Sequence, residues 1–282
     1  MGDRLRSAAE PVGEGGLQYH LRVKPGDVAR YVLLPGDPGR TGLIAGMWDE
    51  HRLVADHREY RTYTGTYRGV GISVTSTGIG SPSTAIAIEE LLRVGADTFI
   101  RVGTMGSIQS TVRPGDLVIG LAAVRMEGTS KQYAPEGFPA VASPDVVMAL
   151  VEAAEGLGYR YHVGLVASTD SFYVGQGRPG FRGFITPRHS TIIPELSALG
   201  VLGFEMESST IFTLATIYGA RAGCVCAVVA NRVTDEFIVD AGVREASRVA
   251  SEAVRILAAW DREAGGKGKR WIYPGLVSGI YR

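Results

Sequence analysis

Cysteine is scarce: Cys224 and Cys226 are the only two in 282 residues. Two thiols cannot staple a disulfide scaffold, and no zinc-site spacing occurs. The lack of a disulfide framework favours a reducing compartment. Both cysteines fall in an apolar run at 223–229. They read as small buried hydrophobes, not as ligands or nucleophiles. In a strand they are expected to point to opposite faces and so not to bridge. Net charge is also missing, with 29 Lys plus Arg against 29 Asp plus Glu. That gives no argument for a nucleic-acid surface or an anionic membrane surface. No stretch approaches the ~18 consecutive apolar residues of a membrane span. Residues 1–16 are polar and glycine-rich, without the apolar segment of a signal peptide. A cytoplasmic protein is expected.

What is present suits a folded enzyme-sized domain: 45% apolar and 21% charged residues are ordinary values for a globular chain with a core. Short β-branched runs at 31–34, 71–76, 98–102, 117–124, 163–168, 202–205 and 224–230 read as strands. Several are apolar throughout, as strands covered on both faces should be. Helical patterns at 82–94, 143–157, 208–218 and 241–260 lie between them. Pro82 suits a helix start, and Gly95, Gly158 and Gly219 suit the position just past a helix end. The alternation predicts an α/β fold: one domain with a mixed, mostly parallel central sheet flanked by helices. Residues 1–18 are expected to be a flexible extension, 19–262 the domain and 263–282 a tail. Trp271, Tyr273 and Tyr281 suit the tail to packing against the body or a neighbour. The Gly/Pro/Arg-rich stretch 174–190 reads as an active-site loop.

Open parallel sheets place their sites at strand ends. The first strand ends in Pro35-Gly36-Asp37-Pro38-Gly39-Arg40. Glycines let an anion approach backbone N–H groups, and Arg40 adds a planar fork suited to phosphate; a plain turn with an exposed arginine is the other reading. Arg101, in Arg101-Val-Gly-Thr104, is expensive to bury unpaired. It needs an anion, supplied either by a structural carboxylate or by a ligand. His57-Arg58-Glu59 reads equally as a solvated surface. Gly78-Ile-Gly80-Ser half-resembles a dinucleotide fingerprint, but the match is weak. In Glu205-Met206-Glu207, carboxylates at a strand-to-helix junction can serve the helix dipole or grip a vicinal diol such as ribose. Phe172, Gln176 and Arg178 offer an aromatic face, an amide and a guanidinium within seven residues, suited to a planar base. Arg232 ends the last strand and could reach the same place.

Together these blocks resemble the nucleoside phosphorylase I family. They are Pro-Gly-Asp-Pro at 35–38, His-Arg-Glu at 57–59, Ser-Thr-Gly-Ile-Gly at 76–80, Phe-Pro-Ala-Val at 138–141, Glu-Met-Glu-Ser at 205–208 and Asn-Arg at 231–232. They run in family order from about residue 19 to about 260. The resemblance implies phosphate held by Gly36, Arg40, Arg101 and Thr104, with Arg58 joining from a neighbouring subunit. It implies ribose contacts from Glu205, Met206 and Glu207, and from His20 of a neighbour to the 5′-hydroxyl. It puts Phe172, Gln176 and Arg178 on the base and Arg232 at its leaving edge. Arg101, Gln176, Arg178 and Arg232 would carry the chemistry. It further implies a hexamer built as a trimer of dimers, with Glu59, Ile79 and Ser83 holding a monovalent cation, potassium, between paired subunits. No other cofactor is implied, and inorganic phosphate is co-substrate. The implied reaction is reversible phosphorolysis of uridine to uracil and ribose 1-phosphate. Purine enzymes of the family carry an Asp after the last strand, where this chain has Arg232, so a pyrimidine is favoured. A purine phosphorylase of the same fold and a non-catalytic nucleoside-binding protein are the rival readings. On the favoured reading, Arg101→Ala abolishes phosphorolysis and leaves the fold intact.

Overall fold

A computed structural model describes residues 7–269, 271 and 273. The chain opens with a small hook, in which Val12 and Gln18 pair across a turn at Glu14–Gly16. Strand β1 (Tyr31–Leu34) leads into helix α1 (Pro38–Ala45), then into a meander of β2 (Glu50–His57), β3 (Tyr60–Tyr67) and β4 (Val70–Thr75). Helix α2 (Ser81–Arg93) precedes β5 (Thr98–Ser107) and β6 (Leu117–Met126). Helix α3 (Thr129–Tyr133), β7 (Ala140–Val141), α4 (Pro144–Leu157) and β8 (Tyr161–Thr169) follow. Then come α5 (Pro187–Ser190), α6 (Ile192–Ala198), β9 (Val201–Glu205), α7 (Ser208–Tyr218), β10 (Arg221–Asn231), β11 (Glu236–Phe237) and α8 (Val243–Gly266).

Every strand and helix expected from the residue pattern is present, with ends moved by a few residues. Gly158 and Gly219 close α4 and α7 with φ of 71° and 68°, in the left-handed region where glycine escapes the Cβ clash. Helix α8 runs to Gly266, past the expected end of the domain at 262. Trp271 and Tyr273 are exposed on this chain. The expectations for residues 1–6 and Tyr281 lie outside the described residues. No described helix is long and apolar enough to cross a membrane.

All the strands join one mixed sheet. Parallel ladders link β4–β1–β5–β10 and β6–β8–β9. Antiparallel pairing of β10 with β6 and of β9 with β5 closes β5, β10, β6, β8 and β9 into a ring. The antiparallel share exceeds what the alternation suggests, because β2 and β3 form a hairpin against β4. Strand β2 is mostly exposed at the sheet edge and carries no apolar alternation. Most of the sheet and helices α1, α2, α4, α7 and α8 share one large apolar core, into which α8 sends one long buried stripe, while α6 and β9 close a smaller one with Ile108 and Ala167.

At the end of the sheet where β1 and β5 begin, Arg221 of β10 donates to Asp261 of α8 at 2.8 and 2.9 Å and to Asp145 of α4 at 2.9 Å. The Tyr31 hydroxyl donates to Asp261 at 2.6 Å. Desolvation alone would raise the Asp261 carboxyl; the bonds from Arg221 and Tyr31 outweigh it and hold the group below its ordinary value. A depressed folded-state value gives stability that is present above the unfolded value of about 3.9 and lost as pH falls through the folded one. Asp261→Asn is therefore expected to cost about 2 kcal/mol at pH 7. Thermal melts should show the gap from wild type narrowing below about pH 4.

Candidate active site

A cavity of about 330 Å³ opens where β1, β5 and β10 end, roofed by the β9–α7 junction and the 172–178 loop. One end is lined with arginine. Gly36, two residues past β1, lies beside the Gly78 carbonyl, where a Cβ would be 3.1 Å from that oxygen. Asp37 then caps α1, accepting the Gly39 N–H at 2.8 Å. This cap turns what reads as a Gly-Pro loop into a helix and brings Arg40, one turn in, onto the cavity wall. Burial, and next the charge of Arg101, lower the proton affinity of Arg40, which makes no ion pair with a carboxylate among the described residues. Thr104 of β5 lines the same wall.

Arg101 is buried, with 4% of its surface exposed. Its Nη2 lies 2.5 Å from Glu207 and its Nε 2.7 Å from Glu205. The Nε contact is off the line of a good hydrogen bond and is chiefly ionic. Burial opposes the charge on Arg101, but Glu207 and then Glu205 outweigh it and keep the guanidinium protonated. Two carboxylates share one cation here, and burial pushes the Glu207 carboxyl up against the pull of Arg101. Gly103 makes room for this arrangement: a Cβ there would lie 2.7 Å from Cys226 Sγ and 2.8 Å from Arg101 Cζ. The cysteines share one face, with Sγ atoms 3.5 Å apart. Alternate residues of a strand point the same way, so the expectation of opposite faces is wrong. Both are buried free thiols, and the Cys224 contact and burial push the Cys226 thiol up, which makes it a poor nucleophile.

The two glutamates differ in what they have left to offer. Glu205 accepts the N–H groups of Glu207 and Ser208 at 2.9 Å each, the Ser168 hydroxyl and the charge of Arg101. It caps α7 and holds Arg101, with little capacity left for a sugar. Glu207 accepts the Gly80 N–H at 2.6 Å and faces the cavity beside Met206.

The other end of the cavity is built from the 172–178 loop. The Arg178 guanidinium lies 3.9 Å from the centre of the Phe172 ring and donates to Gln176 Oε1 at 2.5 Å. Gln176 Nε2 donates to Thr169 Oγ1 at 3.0 Å, so the amide is held from both sides. Arg232 donates to the Gln176 carbonyl at 3.0 Å. Burial, and then repulsion from Arg232, lower the proton affinity of Arg178 to about 10. Phe237 completes this wall, a residue that no motif singles out. Guanidinium groups at both ends, with a carboxylate between them, can hold one anion, a sugar diol and a second place where negative charge develops.

Residues 30–259 match the sequence profile of the phosphorylase superfamily. This chain belongs to that superfamily. It is 61% identical to a uridine phosphorylase of Thermococcus kodakarensis, over 98% of this chain and 99% of the relative. It is 42% identical to a uridine phosphorylase of Escherichia coli, over 77% of this chain and 87% of the relative. A guanosine phosphorylase of Halorubrum lacusprofundi is 41% identical over 77% of this chain and 84% of the relative. Membership therefore settles the chemistry class but leaves the base to be argued from the site.

In this superfamily member His20 and Arg58 are absent from the cavity wall. They lie together elsewhere. Arg58, with φ of 57°, forms the β2–β3 turn with Glu59. Its guanidinium lies 5.8 Å from the centre of the Tyr19 ring, next to His20. His57 Nδ1 donates to the His20 carbonyl at 2.8 Å. Glu59 and Ser83 both border Gly78: a Cβ there would lie 2.9 Å from Glu59 Cγ and 3.2 Å from Ser83 Oγ, beside the exposed Ile79. Among the described residues no cluster of three or more His, Cys, Asp or Glu could hold a metal ion.

Proposed function

We propose that the protein catalyses reversible phosphorolysis of uridine to uracil and ribose 1-phosphate. The observation that carries this reading is the single cavity with Arg40 and Arg101 at one end, Glu207 in the middle and Gln176 with Arg178 at the other. Gly36, Arg40, Arg101 and Thr104 hold phosphate against the anomeric carbon. Glu207 grips the ribose hydroxyls over Met206, while Glu205 positions Arg101. Phe172, Gln176 and Arg178 hold uracil, with Arg232 at its edge. A phosphate oxygen bonds to C1′ as the C1′–N1 bond breaks. The bonding pair passes into the uracil ring, which leaves as an anion facing two guanidiniums and later takes a proton from water. The protein contributes position and fixed charge rather than a covalent intermediate.

The base assignment rests on Arg232, which does not itself line the cavity but bonds the lining residue Gln176 and packs behind the lining residue Gly106, while Asp235 is exposed in the following turn and also lies off the lining. A bound purine has no carboxyl there to protonate it. His20 and Arg58 belong, on this reading, to a neighbouring copy's site, within a hexamer of paired subunits. Glu59, Ser83 and the Ile79 carbonyl offer the hard oxygen donors that a potassium ion takes, and would tie the pair together. The reading extends to pyrimidine salvage in the cytoplasm. Incubation with uridine should release uracil only when phosphate is present, and inosine or guanosine should react at least about 100-fold more slowly. Uracil release without phosphate, or a purine preference, would overturn it.

A further inference from the structure

His20 lies far in sequence from the carboxylate that holds it. Glu90, on the buried face of α2, has 4% of its side chain exposed. It accepts the His20 N–H at 3.1 Å on both oxygens, the Leu21 N–H at 2.8 Å and His20 Nδ1 at 2.7 Å. Anchoring the segment needs only the backbone bonds. The ring contact adds something separate. A carboxylate that receives three N–H donors accepts only, so Nδ1 must carry the hydrogen. In the neutral form of the ring, Nε2 is then a bare acceptor. Edge contact with the Tyr19 ring, centroids 4.8 Å apart, fixes the ring plane, and the His20 side chain stays 24% exposed.

We infer that Glu90 is a positioning residue. It sets the tautomer and orientation of His20 so that Nε2 accepts the 5′-hydroxyl of a nucleoside bound by a neighbouring copy. The inference rests on the proposed placement of His20 in that neighbour's site. Helix α2 touches both places. Its first turn lies beside the chain's own cavity, with Gly80 bonded to Glu207, and its last turns hold His20 for another copy.

The test is a comparison of uridine with 5′-deoxyuridine, which lacks the hydroxyl in question. Wild type should prefer uridine by about tenfold in kcat/KM, the size of one well-made hydrogen bond. His20→Ala should bring that preference close to one. Glu90→Gln should do much the same while leaving turnover of 5′-deoxyuridine within about twofold of wild type. A glutamine cannot face all three N–H donors with acceptors. If Glu90→Gln slows both substrates equally, Glu90 is only a structural staple and the inference falls. If Glu90→Gln keeps the full preference while His20→Ala loses it, the inference falls and the placement of His20 stands. If His20→Ala keeps the preference, the placement itself fails and takes the inference with it. Should Glu90→Gln not fold, ¹⁵N histidine NMR of the wild-type protein decides. A neutral His20 protonated on Nδ1 is expected, and protonation on Nε2 alone would overturn the proposal.

Discussion

Arg101→Ala should lose at least about a thousandfold in kcat/KM and also lose about 3–5 kcal/mol of stability. The two losses have separate causes. Activity goes because the guanidinium faces the cavity end that Arg40 also lines, where a phosphate would sit. Stability goes because Glu205 and Glu207 would be left buried around an empty space with no cation. These contacts lead us to expect a weakened fold, where the sequence alone led to the expectation of an intact one. Sequence alone poses a choice between a structural carboxylate and a ligand as the partner of a buried arginine. Here Arg101 has carboxylate partners and still borders the ligand space. Two measurements separate the effects. Thermal melts report the stability loss, and added phosphate should raise the melting temperature of wild type but not of the variant. Turnover near the wild-type rate would remove Arg101 from the site.

Arg178→Ala should behave in the opposite sense on stability. The group sits partly buried within reach of the charge of Arg232, with no carboxylate ion pair to balance it among the described residues. Removing it relieves that repulsion, so the melting temperature should hold or rise. Catalysis should fall by about 100- to 1,000-fold, mostly in kcat, because on the proposed placement of the base the positive charge lies where the departing uracil becomes negative. A second effect follows from Gln176. Arg178 can only donate, so its contact fixes Oε1 toward itself and Nε2 toward Thr169. Without it the amide is free to turn over, and discrimination between uridine and cytidine should shrink. Steady-state kinetics on both nucleosides reads the two effects together. A variant within threefold of wild type on uridine would show that the base site lies elsewhere.

Strands buried on both faces, such as β1 and β10, were legible because continuous apolar runs have few alternatives. Helix α2 was legible from Pro82 and Gly95. Strand β2 was not, since Glu50-His-Arg-Leu-Val-Ala-Asp-His lies at a sheet edge, mostly exposed, and needs no apolar alternation. Strand β3 did carry a signal in Tyr60-Arg-Thr-Tyr-Thr-Gly-Thr-Tyr, with its β-branched and aromatic residues. Helix α1 begins Pro-Gly-Arg-Thr-Gly, a poor helix by propensity; the Asp37 cap and tertiary packing override that. In the site, the motifs around Gly36, Arg101, Phe172 and Glu207 supplied residues that the fold brings to one cavity, but spacing holds no information on convergence. Glu90 and His20, 70 residues apart, had no local mark joining them. Glu205 and Glu207 looked interchangeable because only the hydrogen-bond count distinguishes a carboxylate already surrounded by donors from one facing open space.

The turn at Arg58 shows a different kind of accounting. A left-handed backbone costs an ordinary side chain about 1 kcal/mol, and glycine would escape most of that. The hairpin nevertheless ends in a long cation, steadied by a tyrosine ring from the opening segment of the chain. Its fingertip is shaped for reach at the expense of comfort, and an isolated chain gains nothing visible from the compromise.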